Sequence, residues 1–71
     1  MAEKLKTVLG SRVRDVRLGR RLSQEAFAEE LGVSTRYLAG IERGERNLSL
    51  DSIDALAKQL EVEALQLLTR P

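Results

Sequence analysis

One short segment of the chain combines basic, hydroxyl and small side chains at helical spacing. If residues 35–43 form a helix, Leu38 and Ile41 share one face because they are three positions apart. The opposite face then offers a hydroxyl, guanidinium groups, a methyl and bare backbone, with no acidic or large apolar side chain. Those groups belong to Thr35, Arg36, Ala39, Gly40 and Arg43. Arginine reads guanine through a bidentate hydrogen bond, and threonine and alanine methyls can contact the thymine methyl. This face suits the floor and phosphate walls of a major groove; an ordinary solvated surface is the alternative.

Gly40 within this helix has two interpretations. A glycine in a helix interior costs about 1 kcal/mol relative to alanine. Close approach of the backbone to DNA would explain it, and so would close packing against a neighbouring helix.

The composition excludes several kinds of catalytic and metal site. The 71 residues include no cysteine and no histidine. Disulfides, thiolate nucleophiles, iron–sulfur clusters and histidine-based triads are therefore excluded, and a structural zinc site is not expected. One phenylalanine and one tyrosine are too few for the stacking platforms that bind single-stranded nucleic acid. The sequence predicts no catalytic residue, no metal, no cofactor and no small-molecule ligand.

The length and the charge distribution fit one small domain with two unlike ends. We interpret residues 1–71 as a single domain. Residues 1–46 carry ten basic and seven acidic side chains, a net +3, whereas residues 47–71 carry two and four, a net −2. The first part could face a polyanion while the second does not. No stretch is apolar enough to span a bilayer and no signal-peptide pattern opens the sequence, so we expect a cytoplasmic protein without a membrane partner.

Five helices must position these groups. Apolar residues recur at helical spacing, and β-branched residues never alternate over a strand length. The predicted helices are Leu5–Arg20, Gln24–Leu31, Thr35–Arg43, Leu50–Leu60 and Glu63–Thr69. Only three or four residues centred on Gly32 separate the second helix from the third. That spacing is typical of a helix-turn-helix, although an ordinary helical hairpin has it too.

Longer motifs resemble a known family. The segment from Leu22 to Ser34, LSQEAFAEELGVS, is followed by Tyr37-Leu38 and by Ile41-Glu42-Arg43-Gly44. Together they resemble the Cro/phage-repressor (XRE) helix-turn-helix family, over nearly the whole chain. The resemblance implies an all-α, five-helix, Cro/repressor-like domain that binds duplex DNA, with its helix-turn-helix core at about residues 24–43.

The next segment points to one branch of that family. Residues 41–50, IERGERNLSL, preceded by Tyr37, are similar to the controller proteins of restriction–modification systems. Those are small regulators that bind their own promoters as homodimers and time expression of the endonuclease. A phage-type repressor and a DNA-binding antitoxin are the alternatives. A helical interaction module without DNA binding would be expected to carry acidic or bulky apolar residues on the face that Thr35 and Arg36 occupy.

The resemblance also implies roles for individual residues. The positions that would read bases are Thr35, Arg36, Ala39 and Gly40. The positions that would contact the DNA backbone are Ser23, Gln24, Ser34, Tyr37, Arg43, Arg46 and Asn47. Ser23 acting only as a helix cap, and Tyr37 acting only in packing, are the alternatives. Arg17 and Glu42 match an internal ion pair that links the first and third helices.

Two positions depart from the family pattern. Controller proteins often have a basic residue followed by a hydroxyl, where this chain has Thr35 then Arg36. The operator sequence is expected to differ accordingly. The family commonly has glycine where this chain has Arg21, so either Arg21 adopts a strained left-handed backbone or the first helix ends nearer Gly19.

The C-terminal part, at about residues 50–69, holds more apolar residues than one small domain can bury on one side. A surplus of this kind usually marks an interface, although all of these residues could instead serve the core. The predicted homodimer contacts are Leu60, Val62, Leu65 and Leu68. A twofold dimer through the last helix would place two recognition helices about 34 Å apart, on successive major grooves.

Overall fold

Between residues 4 and 70 the backbone forms five α-helices, in agreement with the predicted all-α architecture. A computed structural model describes residues 4–70, and it has no strand in that range. The helices are α1 (Leu5–Gly19), α2 (Gln24–Leu31), α3 (Thr35–Glu42), α4 (Leu50–Leu60) and α5 (Ala64–Leu67). Residues 1–3 and 71 of the predicted domain lie outside the described residues. Within residues 4–70, no helix is long and apolar enough to cross a membrane.

The ends of three helices differ from the predicted ends by one or two residues. α1 ends at Gly19 rather than Arg20, and α3 ends at Glu42, with Arg43 as its C-cap. α5 spans four residues instead of the seven predicted from Glu63 to Thr69. At the end of α5 the Leu65 carbonyl oxygen accepts from the Leu68 backbone N–H at 3.1 Å and from the Thr69 hydroxyl at 2.7 Å, so a side chain shares a helix-end carbonyl with the backbone.

Serine side chains begin three of the helices. The hydroxyl oxygens of Ser23, Ser34 and Ser49 each accept a hydrogen bond from the backbone N–H three residues later, at 3.0–3.1 Å. Serine is a favoured N-cap because it satisfies one of the first helical N–H groups, which lack intrahelical partners. These caps fix where α2, α3 and α4 begin.

Left-handed residues follow four of the helices. Gly32 and Gly44 have φ of 71° and 75°, which glycine adopts without steric cost. Arg21 and Glu61 adopt the same region with φ of 58° and 59°, which costs a residue with a Cβ about 1–2 kcal/mol. Both alternatives for Arg21 thus occur together: α1 ends at Gly19, and Arg21 takes the strained conformation two residues later.

One continuous core joins the helices. Phe27, Leu38, Leu67 and Val13 have the largest fully buried side chains. The other core residues are Leu9, Ala28, Leu31, Ile41, Ile53, Leu56, Ala57 and Leu60. Because this core draws on all five helices, α3 is held rigidly against the rest of the domain.

α1 and α3 approach each other closely at Gly10. Gly10 is buried, and a Cβ at this position would overlap the backbone carbonyl oxygen of Ile41 and lie 2.9 Å from that of Glu42. Only a residue without a Cβ lets α1 pack this closely on the end of α3. Sequence reasoning missed Gly10, because a single glycine in a helix does not indicate which backbone it meets.

Candidate nucleic-acid interface

Two capped helices joined by a tight turn build the predicted helix-turn-helix. α2 ends at Leu31 and α3 begins at Thr35, so three residues separate them. The backbone N–H of Val33 donates to the Ala28 carbonyl oxygen at 3.0 Å, which closes the turn after the left-handed Gly32. Leu38 and Ile41 are buried and anchor α3. The outer face of α3 is thereby fixed in orientation.

The first turns of α3 present the groups that sequence analysis proposed for reading DNA. Thr35 and Arg36 are exposed, and Ala39 is half-buried. No acidic residue lies in the first turn of α3. The partial positive charge of this helix end therefore adds to that of Arg36, which favours the approach of an anion.

Gly40 is not the exposed backbone position that we expected. It is buried, and a Cβ there would lie 3.1 Å from Nε and 3.2 Å from Cγ of Arg46. The Arg46 guanidinium carbon lies 4.9 Å from the centre of the Tyr37 ring, within the range of a cation–π contact. In the described structure, Gly40 is covered by the Arg46 side chain and not by a neighbouring helix.

Arg43 pairs with a residue that sequence reasoning missed. Its Nε and Nη2 each lie 3.1 Å from Oε1 of Glu45. The hydrogen bond from Arg43, and then its charge, lower the pKa of Glu45 below the usual value. A DNA phosphate must compete with this exposed carboxylate for the Arg43 guanidinium. The signal was present in the sequence, since the two residues are only two positions apart.

The remaining backbone-contact candidates lie at helix starts and after α3. Ser23 and Ser34 are the exposed N-caps of α2 and α3, so their oxygens already serve the helices. Asn47 is exposed, and its Oδ1 lies 3.5 Å from Nζ of Lys6. Gln24 is the half-buried first residue of α2. The Lys6 contact places a cation of α1 beside the segment that follows α3.

Arg17 and Glu42 form an ion pair between α1 and the end of α3. Arg17 Nε donates to Glu42 Oε2 at 2.8 Å, and Nη2 donates to Oε1 at 3.0 Å. The two side chains are 11% and 4% exposed. The hydrogen bonding with Glu42 raises the pKa of Arg17 above its ordinary value despite burial, and the carboxylate charge adds to this. The pair is bidentate and largely removed from water, which strengthens it.

The same carboxylate also holds Gln24. Nε2 of Gln24 donates to Glu42 Oε1 at 3.2 Å, so this oxygen accepts from both α1 and α2. Sequence reasoning missed this bond. Residues 18 positions apart meet here only because the turn after α2 brings the end of α3 back to the start of α2.

The apolar C-terminal residues divide between the core and the surface. Leu60, one of the predicted dimer contacts, is 2% exposed and packs within the core, so it presents little surface of its own. Val62 and Leu68 are half-buried against that core, and Leu65 is 73% exposed. Beside Leu68, an open groove of about 350 Å³ is lined by further apolar side chains. They are Leu5, Leu9, Leu48, Leu50 and Ile53.

Comparisons with known proteins agree with this geometry. A helix-turn-helix family model matches residues 13–67. The chain is 39% identical over 69 residues to the control protein C.BamHI of Bacillus amyloliquefaciens, covering 96% of this chain and 85% of that protein.

Two solved structures add to this similarity. The restriction–modification controller protein C.AhdI of Aeromonas hydrophila is 40% identical, with a TM-score of 0.73 over 87% of this chain and 94% of the other. The C.Esp1396I controller tetramer in complex with its natural 35 base-pair operator is 29% identical, with a TM-score of 0.74 over 93% of this chain and 87% of the other.

Proposed function

The chain belongs to the helix-turn-helix family of DNA-binding transcription regulators, and we propose that it binds a palindromic operator as a homodimer and acts as a restriction–modification controller protein. The observation that carries this proposal is the outer face of α3, where exposed Thr35 and Arg36 lie opposite the buried anchors Leu38 and Ile41. The similarity to C.BamHI and C.AhdI, both controller proteins, favours this role over a phage-type repressor or an antitoxin.

Recognition would divide between base contacts and phosphate contacts. Arg36 would donate two hydrogen bonds to a guanine, and the Thr35 and Ala39 methyls would contact thymine methyls. Gly40 would allow close approach of DNA once Arg46 moves from above it onto a phosphate. The proposed phosphate contacts, which position the domain without reading sequence, are Ser23, Gln24, Ser34, Tyr37, Arg43, Arg46 and Asn47.

This proposal includes no catalytic step, metal, cofactor or small ligand, and it treats residues 1–71 as one DNA-binding domain. The proposed partners are duplex DNA and a second copy of the chain. Because DNA is the partner and the relatives named above are bacterial, we place the protein in the cytoplasm.

Two arginine substitutions should separate base reading from phosphate binding. We expect Arg36→Ala to cost about 1–3 kcal/mol of operator affinity and to relax preference at one base step. Arg46→Ala should weaken binding to all duplexes alike and reduce the slope of log affinity against log salt by about 1. Fluorescence anisotropy over a salt series, on the operator and on single-base variants, measures both. An unchanged base preference in Arg36→Ala would contradict the assignment of the reading face.

The proposed dimer interface combines the exposed C-terminal residue Leu65 with the half-buried Val62 and Leu68. Leu60 supports this surface from within the core rather than contacting the partner. The net negative charge of residues 47–71 fits this arrangement, since self-contact would then leave the basic part of the chain for DNA.

Leu65→Asp should convert the dimer to a monomer, because a buried unpaired carboxylate opposes association at an apolar contact. Sedimentation equilibrium measures the result. Leu18→Asp is the matched control: Leu18 is a 52% exposed leucine at the end of α1, outside the proposed interface, and this variant should remain dimeric. A dimer that persists in Leu65→Asp would place the interface elsewhere.

A further inference from the structure

We propose that Glu42 is a positioning residue that holds the Gln24 side chain ready for DNA, and that Arg17 makes this possible by neutralising Glu42. This inference rests on the proposed function, because it concerns how the same helix-turn-helix meets DNA. It gives the ion pair a role in binding as well as in the fold.

The geometry places one carboxylate between two DNA-contacting helices. Glu42 is the last residue of α3 and Gln24 is the first residue of α2. Their side chains meet at 3.2 Å, through Nε2 of Gln24 and Oε1 of Glu42. The Glu42 side chain is 4% exposed whereas Gln24 is half-buried. The amide is thus held from its inner side by a group that is itself almost immobile.

The chemistry of the amide gives this contact a consequence for recognition. A glutamine amide has two N–H donors and one carbonyl acceptor. Glu42 takes one N–H and fixes the amide plane, which leaves one N–H and the carbonyl oxygen for a ligand. Gln24 therefore loses less side-chain freedom when DNA binds than an unrestrained glutamine would. The remaining N–H can donate to a phosphate. Together with the carbonyl oxygen, it also matches the hydrogen-bonding groups on an adenine edge.

Arg17 keeps this arrangement compatible with a polyanion. Without it, the Glu42 charge beside Gln24 would repel a phosphate. Arg17 donates twice to that carboxylate, and its Nη1 donates to the Leu22 carbonyl oxygen at 3.0 Å. The Leu22 N–H donates back to the Arg17 carbonyl oxygen at 3.2 Å. Arg17 therefore fixes the turn before α2 as well as the end of α3, and so the placement of one relative to the other.

A double-mutant cycle on DNA binding tests this role. Its two arms are Gln24→Ala and the paired change Arg17→Met/Glu42→Leu, which removes the acceptor for Gln24 without leaving a buried charge alone. The test uses a duplex that the unaltered protein selects from a random DNA pool. On it, we expect each arm to weaken binding about tenfold. The triple variant should be no weaker than either arm, because both arms remove the same contact. Losses that multiply to about a hundredfold, or an unchanged affinity in Arg17→Met/Glu42→Leu, would overturn the proposal.

Stability must be separated from positioning in this cycle. Ile53→Val removes one buried core methyl group in α4, a helix that carries none of the three network residues, and it should lower stability yet bind DNA as the unaltered protein does. All variants are compared at a temperature where circular dichroism reports each of them folded.

A second measurement needs no variant and no DNA. In the unbound full chain, NMR should show the Gln24 side-chain amide hydrogen that faces Glu42 exchanging with water at least about tenfold more slowly than the amide hydrogens of exposed Gln66. Equal exchange rates would overturn the proposal even if Arg17→Met/Glu42→Leu failed to fold. Failure of the proposed function would look different: the random pool would yield no duplex, while Gln24 would remain protected.

Discussion

Arg17→Ala is expected to lower the free energy of unfolding by about 3–5 kcal/mol. The Glu42 side chain is 4% exposed in the intact protein, and without the guanidinium its carboxylate keeps only the Gln24 amide as a side-chain hydrogen-bond donor among the described residues. A core of this size supplies roughly 3–5 kcal/mol in all. We therefore expect Arg17→Ala to be largely unfolded at 25 °C, as measured by urea titration followed by circular dichroism.

The matched control for this substitution replaces both partners. Arg17→Met/Glu42→Leu removes the buried charges together, and apolar replacements of a buried ion pair are often neutral or stabilising. We expect it to recover most of the stability that Arg17→Ala loses. If the free energy of unfolding of Arg17→Ala lay within about 1 kcal/mol of that of the unaltered chain, the pair would behave as an exposed surface ion pair, contrary to its burial.

Gly10→Ala should destabilise the fold by about 1–3 kcal/mol or more, although alanine favours helices. The added methyl would overlap the Ile41 carbonyl oxygen and press on that of Glu42. Both are backbone atoms of α3, so no side chain can rotate away and the two helices must separate. Because Glu42 would move with that backbone, DNA binding should weaken as well.

Gly19→Ala is the control within the same helix. Nothing in the described structure lies within 4 Å of a Cβ at Gly19, and its φ is not in the left-handed region. It should stabilise the protein by about 0.5–1 kcal/mol through the lower entropy of the unfolded chain. Thermal unfolding of both variants measures the contrast. Two shifts of the same sign would contradict the proposed close approach at Gly10.

Local signals in the sequence predicted most of the fold. Apolar spacing predicted α1 to α4, and the short connection centred on Gly32 joins α2 and α3 as expected. α5 was predicted too long because apolar spacing does not show where the backbone leaves the helix, here at Leu68. Leu60 was assigned to an interface because a run of leucines does not indicate which of them the core absorbs.

The candidate site was predictable as a set of residues but not as a set of contacts. The outer positions of α3 follow from helical spacing, and the remaining roles came from resemblance to a family. The contacts among Gln24, Glu42 and Arg17 depend on the angle between α2 and α3, which tertiary packing sets. The packing of the Arg46 side chain against Gly40 likewise depends on the path of the backbone after α3.

Selection of bound duplexes from a random DNA pool, at about physiological salt and followed by sequencing, tests the regulator proposal most directly. We expect a twofold-symmetric motif whose half-sites lie about one helical turn apart, roughly 10 base pairs from centre to centre. The Arg36→Ala variant should lose the preference at one position in each half-site. If no motif were enriched and the protein bound all duplexes alike, with an affinity set only by salt, the result would contradict the proposal of a sequence-specific dimeric regulator.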